Sequence, residues 1–226
     1  MSSHLFFERG NGILCEISFK ERVCQTVIDC SRKYKENLVS YDYLVCSTAF
    51  ANKYYIISCH EDNYQHLTGV HSLISAQDFF NKCYEGTLKE SDFDFTKRGQ
   101  TEKSVKGSVR EKISVLRDTM DLFFNKEIYA EESFGRNRVF CTFATAIPSF
   151  TLGFTNSVYA TPKSLLKNNK LTDNTHKVDM VIRKSRAEQK YCEIISVDEE
   201  KVDLYYDDIK HMLSEEVSMT LSQHLA

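Results

Sequence analysis

Apolar positions fall at helical spacing in some stretches of the chain and in strand-like runs in most of the others. Phe19, Val23, Val27, Tyr34 and Leu38 step through "FKERVCQTVIDCSRKYKENL" at near-helical intervals and predict a helix. "YDYLVCS" and "KYYIISC" follow as strands rich in aromatic and β-branched residues. "SAQDFFNKCYEG" predicts a compact helix, with Ser75 and Asp78 as a capping box and Gly86 at its stop. Val105, Val109, Ile113, Leu116, Met120 and Phe123 then form one apolar stripe, so a longer helix is expected within 104–126.

Beyond that helix the period shortens. "RVFCTFATAI" and "SFTLGFT", separated by Pro148, read as strands. In "ATPKSLL", Thr161 is placed as an N-cap and Pro162 at the first helical position, which predicts a helix start. "VDMVIRK" and "YCEIISV" form a further strand pair across the polar "SRAEQK". Ile209, Leu213, Val217 and Leu221 step by four and predict a terminal amphipathic helix. The opening "HLFFERGNGILCEISF" places Gly-Asn-Gly between apolar runs, as in a hairpin. The pattern describes an α+β fold, a helical N-terminal part packed on a curved antiparallel β-sheet with a C-terminal amphipathic helix. One domain over 1–226 is expected, with peripheral elements at about 1–18 and 203–226.

A 42% hydrophobic content with 15 Phe and 12 Tyr supports a sizeable core and excludes a disordered chain. The 8 cysteines never form Cys-x-x-Cys and sit mostly in apolar runs. With no apolar targeting core in "MSSHLFFERGNG", they read as reduced, buried thiols of a cytoplasmic protein. No run is long enough to span a bilayer, and no membrane partner is expected. The net charge of −3 conceals local asymmetry. Lys97 to Arg117 contains seven basic residues and Lys163 to Lys190 eight, whereas Glu193 to Glu216 has nine acids against two lysines. Two basic stretches on one face would hold a phosphate backbone; each alone is also ordinary solubilising charge on a wet helix face.

The densest chemistry lies in "YQHLTGVHS". His66 and His71 are five apart, but there is no His-Glu-x-x-His and no zinc-spaced cysteine set, so neither metal nor cofactor is expected. Gly-x-Ser-x-Gly, a Walker loop and a dinucleotide fingerprint are absent, and the paired carboxylates Asp92/Asp94 and Asp207/Asp208 lie in polar segments. A histidine-centred site remains. RNA carries its own nucleophile, the 2′-hydroxyl, so a general acid, a general base and cations suffice to cleave it. In an extended segment His66 and Thr68 share a side, and Gly69 permits close backbone approach. The plainer alternative has His66 bonded to backbone near a turn, and His71 leans toward a structural place before the Ser75 cap.

The order "YYIISCHEDNYQHLTGVHS", "SAQDFFNKCYEGTL", "TLGFTNSVYATPKSLL" and "VDMVIRKSRAEQKYCEIISV" resembles the phage-associated nuclease-like families of the barnase–EndoU–colicin E5/D–RelE superfamily, closest to the fourth phage group. The resemblance covers roughly positions 20–200. It implies N-terminal helices on a curved sheet with a site on the concave face, and a metal-independent ribonuclease. His66, Thr68 and Gly69 match its histidine-led motif; Lys163 and Ser164 match Pro-Lys-Ser-Leu-Leu, with Pro162 and Leu165 as its structural part. Arg138, added on chemical grounds, would stabilise phosphorane charge.

The expected function is a metal-independent endoribonuclease-like protein of toxin or phage-conflict type. His66, Lys163 and Arg138 are its catalytic candidates, and Thr68 and Ser164 its phosphate-binding candidates. RNA is the expected partner, with an antitoxin or host defence protein as a further one, in the host cytoplasm if the chain is phage-encoded. The alternative is a non-catalytic phage or prophage protein that binds and inhibits a host defence protein or nucleic-acid complex.

Overall fold

The computed structural model describes residues 17–136, 139–156, 159–172 and 174–225. The Gly-Asn-Gly hairpin of the opening lies outside the described residues.

Helix α1 (Phe19–Tyr34) starts where Ser18 Oγ accepts from the Glu21 amide at 3.0 Å, and it buries Val23, Val27, Cys30 and Tyr34 along one stripe. A π-helical turn (Lys35–Val39) leads into the antiparallel strands β1 (Tyr41–Cys46) and β2 (Tyr54–Ser58). Next come the short helix α2 (Tyr64–Thr68), the two-residue strand β3 (His71–Ser72) and helix α3 (Ala76–Glu85). Ser75 caps α3 by accepting from the Asp78 amide at 3.0 Å, and Gly86 ends it at φ +73°, as the sequence predicts. Strand β4 (Phe93–Asp94) pairs with β3, and α4 (Glu102–Thr119) follows from the Thr101 cap.

The remaining strands are β5 (Tyr129–Glu132), β6 (Gly135–Arg136), β7 (Val139–Phe140), β8 (Phe143–Ile147), β9 (Phe150–Asn156), β10 (Ala160–Lys167), β11 (His176–Lys177), β12 (Met180–Ser185) and β13 (Glu193–Val197). Nine of the thirteen form one curved sheet, ordered β11-β5-β8-β9-β10-β2-β1-β12-β13. Helices α1, α3 and α4 pack on one face. On the other lie α5 (Val202–Ile209) and α6 (Glu215–Ser222). Alternation along β1 serves both layers: Tyr43 and Val45 enter the larger core, while Leu44 and Cys46 enter the one under α5 and α6. Asp179, 2% exposed, pins this second layer by accepting from Lys201 Nζ at 2.6 Å and from the Tyr205 hydroxyl.

Three expectations need correction. The sheet is mixed, not antiparallel throughout, because β10 runs parallel to β2 at Ala160–Ile57. The predicted helix at Thr161–Pro162 is strand β10, laddered to β9 and burying Ala160, Pro162 and Leu165. Its register slips between Pro162 and Ser164, leaving Lys163 bulged, an irregularity that accommodates proline within a strand. The single terminal helix is two. Ser214 breaks it, capping α6 from the Val217 amide and donating its own amide to the Tyr191 carbonyl at 2.9 Å. Among the described residues no helix is long and apolar enough to cross a membrane.

Candidate functional site

The site grows from α2. Tyr64 and Leu67 are fully buried, which turns His66 outward. Five residues make a single turn, and Gly69 stops it at φ +77°. Because the segment is helical, the alternation that would place His66 beside Thr68 does not apply. Thr68 is buried; its hydroxyl donates to the Gln65 carbonyl at 2.7 Å and accepts from the Val70 amide at 3.4 Å. That side chain closes the helix end and does not line the cleft.

Helix α4 and strand β10 flank α2, and the three enclose an open cleft of about 780 Å³. His66, Lys163 and Ser164, named from sequence, all line it. Lys163 stands at the β10 bulge and donates to the Phe140 carbonyl at 2.7 Å. A bulge re-aims a side chain out of the strand's alternation, and such irregularities gather beside functional sites. Arg138 lies outside the described residues.

Two groups in the cleft escaped the sequence reading. His71 is one. Its Nδ1 lies 2.9 Å from Asp94 Oδ1 across the β3–β4 pair and 3.0 Å from Thr96 Oγ1. Burial alone would raise the Asp94 carboxyl. The Thr96 amide and hydroxyl, together with His71, outweigh it and hold the carboxyl below its ordinary range. A carboxylate on Nδ1 selects the tautomer that leaves Nε2 as acceptor. His71 therefore does not belong to the cap of α3.

The second group is Lys112. It donates from Nζ to the His66 carbonyl at 3.0 Å, and its stem lies against Gly69, where a Cβ would meet Cδ at 2.7 Å. Desolvation, with a smaller push from Lys97, lowers its ammonium to about 8. In the sequence Lys112 is one of seven basic residues from Lys97 to Arg117, which suit either a phosphate backbone or ordinary solubilising charge. The signal was present: it stands three residues after Val109 and four before Leu116, on the buried stripe.

Lys97 and Arg98 add charge to the same wall, while the acid Glu102 is paired with Lys106 at 2.6 Å. The cleft is thus net cationic, carrying two imidazoles and one amine whose ammonium is lowered to about 8. Such a set can bind phosphate and move protons. Among the described residues no three His, Cys, Asp or Glu side chains gather as a metal site.

A family model described as phage-Barnase-EndoU-ColicinE5/D-RelE like nuclease4 matches residues 26–214. No curated protein and no solved structure matches the chain.

Proposed function

Since the chain belongs to the phage-Barnase-EndoU-ColicinE5/D-RelE like nuclease4 family, we propose that it is an endoribonuclease of toxin or phage-conflict type, cleaving RNA without metal in the α2–α4–β10 cleft. Membership itself makes the protein nuclease-like; the substrate and the chemistry are our reading. The observation that carries it is the meeting of His66, His71, Lys112 and Lys163, from four separate segments, in one cleft.

The RNA 2′-hydroxyl attacks the adjacent phosphorus. The P–O bond to the 5′-oxygen breaks, leaving a 2′,3′-cyclic phosphate and a 5′-hydroxyl. His71, oriented by Asp94, takes the 2′-proton on Nε2, and protonated His66 returns one to the departing oxygen. Lys163 and Lys112 face the charge that grows on the phosphate, and Ser164 Oγ donates to a non-bridging oxygen.

The test incubates pure protein with total RNA in chelator. Cleavage ending in cyclic phosphate, lost in His66→Ala and in His71→Ala, is the expected result. Equal cleavage by His66→Ala sinks its assignment, and no cleavage of any cellular RNA with or without metal sinks the class. A stoichiometric complex with a host protein that survives His66→Ala and Lys163→Ala would instead establish the inhibitor reading.

A further inference from the structure

Beside the cleft stands the β6–β7 pair, in which Gly135 faces Phe140 and Arg136 faces Val139. Phe140 is 70% exposed, more than any other large hydrophobic side chain among the described residues. Isolated exposed apolar residues are common, but three features set this one apart. Its ring rests on a glycine: a Cβ at Gly135 would lie 3.2 Å from Phe140 Cδ1 and 3.3 Å from Cε1. The Cδ1 and Cε1 atoms thereby lie against Gly135, and most of the side chain is exposed. Its carbonyl accepts from Lys163 Nζ at 2.7 Å, so the ring stands within one nucleotide's reach of a cleft cation. Finally, its surroundings are cationic: exposed Arg136 donates to the Lys170 carbonyl, and Lys163 and Lys167 are exposed on β10.

An exposed ring backed by a glycine among cations has the chemistry of a base-stacking platform. Stacking requires a π-face and an unpaired base, while the cations bind the phosphates on either side of that base. We propose that Phe140 stacks an unpaired base of single-stranded RNA next to the phosphate held at Lys163. The substrate class of the cleft is then single-stranded or looped RNA, not duplex. This inference rests on the nuclease reading for its ligand. An acidic protein docking on the same ring is the competing occupant, and the charge of the surroundings alone would suit it; the open ring edge beside a phosphate-binding cleft favours nucleic acid.

The test separates binding from cleavage by using a mixed-sequence single strand with 2′-O-methyl groups, which cannot supply the nucleophile. Anisotropy titration of the full chain should show Phe140→Leu weakened roughly 5- to 100-fold, the range of one lost base–aromatic stack. Phe140→Tyr should bind like the parent. Placing an abasic residue at each position in turn should erase the parent's advantage over Phe140→Leu at one of them. A perfect duplex should bind Phe140→Leu and the parent alike. Because the side chain is exposed, thermal unfolding of Phe140→Leu should match the parent. Equal single-strand affinity of Phe140→Leu and the parent would overturn the proposal. So would failure of the parent to bind any single strand, or a complex with an acidic protein that Phe140→Leu alone abolishes. If the parent binds but never cleaves unmodified RNA, the nuclease reading fails while the stacking assignment stands.

Discussion

The Lys112 ammonium donates to the His66 main-chain carbonyl at 3.0 Å, joining α4 to the last turn of α2. A cation at a helix C-terminus satisfies a carbonyl that has no partner within the helix. The same bond places an amine with a depressed pKa beside the histidine proposed to protonate the leaving group, so packing and chemistry share one side chain.

Lys112 should make stability rise with alkaline pH. The folded chain gives up this proton near pH 8, while the unfolded chain keeps it to about 10.4. Between those values the unfolded state binds more protons, so stability increases as pH rises through the window. Urea midpoints of the parent relative to Lys112→Met should therefore climb from pH 8 to pH 10 and be level below pH 7. A difference independent of pH would refute a desolvated ammonium. Cleavage by the parent should also fall above pH 8, with an inflection that Lys112→Met lacks.

Gly69→Ala combines two penalties, a left-handed backbone at φ +77° and a Cβ 2.7 Å from Lys112 Cδ. Gly86→Ala carries the first alone, because nothing lies within 4 Å of its Cβ. Left-handed strain costs roughly 1–2 kcal/mol at either position. Cleavage should fall at least tenfold only in Gly69→Ala, where Lys112 must move from the His66 carbonyl. Chemical denaturation and RNA cleavage of both variants provide the comparison; matched activity would mean that the lysine stem yields freely.

How far the chain's own pattern disclosed this site depends on the range of the interactions. Helices α1, α3 and α4 were legible because caps and stripes are local: Ser75, Asp78 and Gly86 state both ends of α3. Strand β10 was not. Thr161–Pro162 is good helix-start chemistry, and the ladder to β9 overrode it. In α2, one turn is too short for a 3.6-residue period to register, so the sequence suits an extended segment or a turn equally well. His66, Lys163 and Ser164, which line the cleft, are the residues the family motif points to. The His71–Asp94 contact joins two-residue strands 23 positions apart, below any pattern a sequence presents.

Asp94→Asn tests that contact. The amide retains the shape of the carboxylate but no longer favours the tautomer with Nε2 as acceptor, so cleavage should drop roughly 10²-fold, approaching His71→Ala. For stability, the depressed carboxyl contributes at neutral pH. That contribution persists above the ordinary carboxylate range and disappears as acidification passes the lowered value. Acid titration of the parent and Asp94→Asn by circular dichroism should therefore converge only at the acid end.

Asp179→Ala should destabilise the chain by roughly 2–3 kcal/mol without altering cleavage chemistry. The substitution leaves the buried Tyr205 hydroxyl without its acceptor and Lys201 with only Asp198, at 3.6 Å, as counter-ion; an orphaned buried group costs about 1–3 kcal/mol. Lys201 binds its proton more tightly when folded, chiefly through the hydrogen bond to Asp179. Its stabilising contribution is complete below the ordinary lysine pKa and is lost as pH rises through the raised one. Equilibrium denaturation measures the loss; Asp179→Ala as stable as the parent would show that α5 and α6 are held by their apolar faces alone.

Salt separates binding from chemistry in the cleft. Each phosphate neutralised on a single strand contributes about −0.7 to the slope of log affinity against log salt. Lys97→Ala and Lys163→Ala should each flatten that slope by roughly this amount, since both line the cleft and carry their charge outward. His66→Ala should abolish cleavage while an uncleavable strand still binds, because the part proposed for His66 is proton transfer to the leaving oxygen. Titrating an uncleavable single strand at several salt concentrations makes all three comparisons. A Lys163→Ala slope equal to the parent's would place the phosphate path away from β10, and the bulge that presents Lys163 would then have no part in binding.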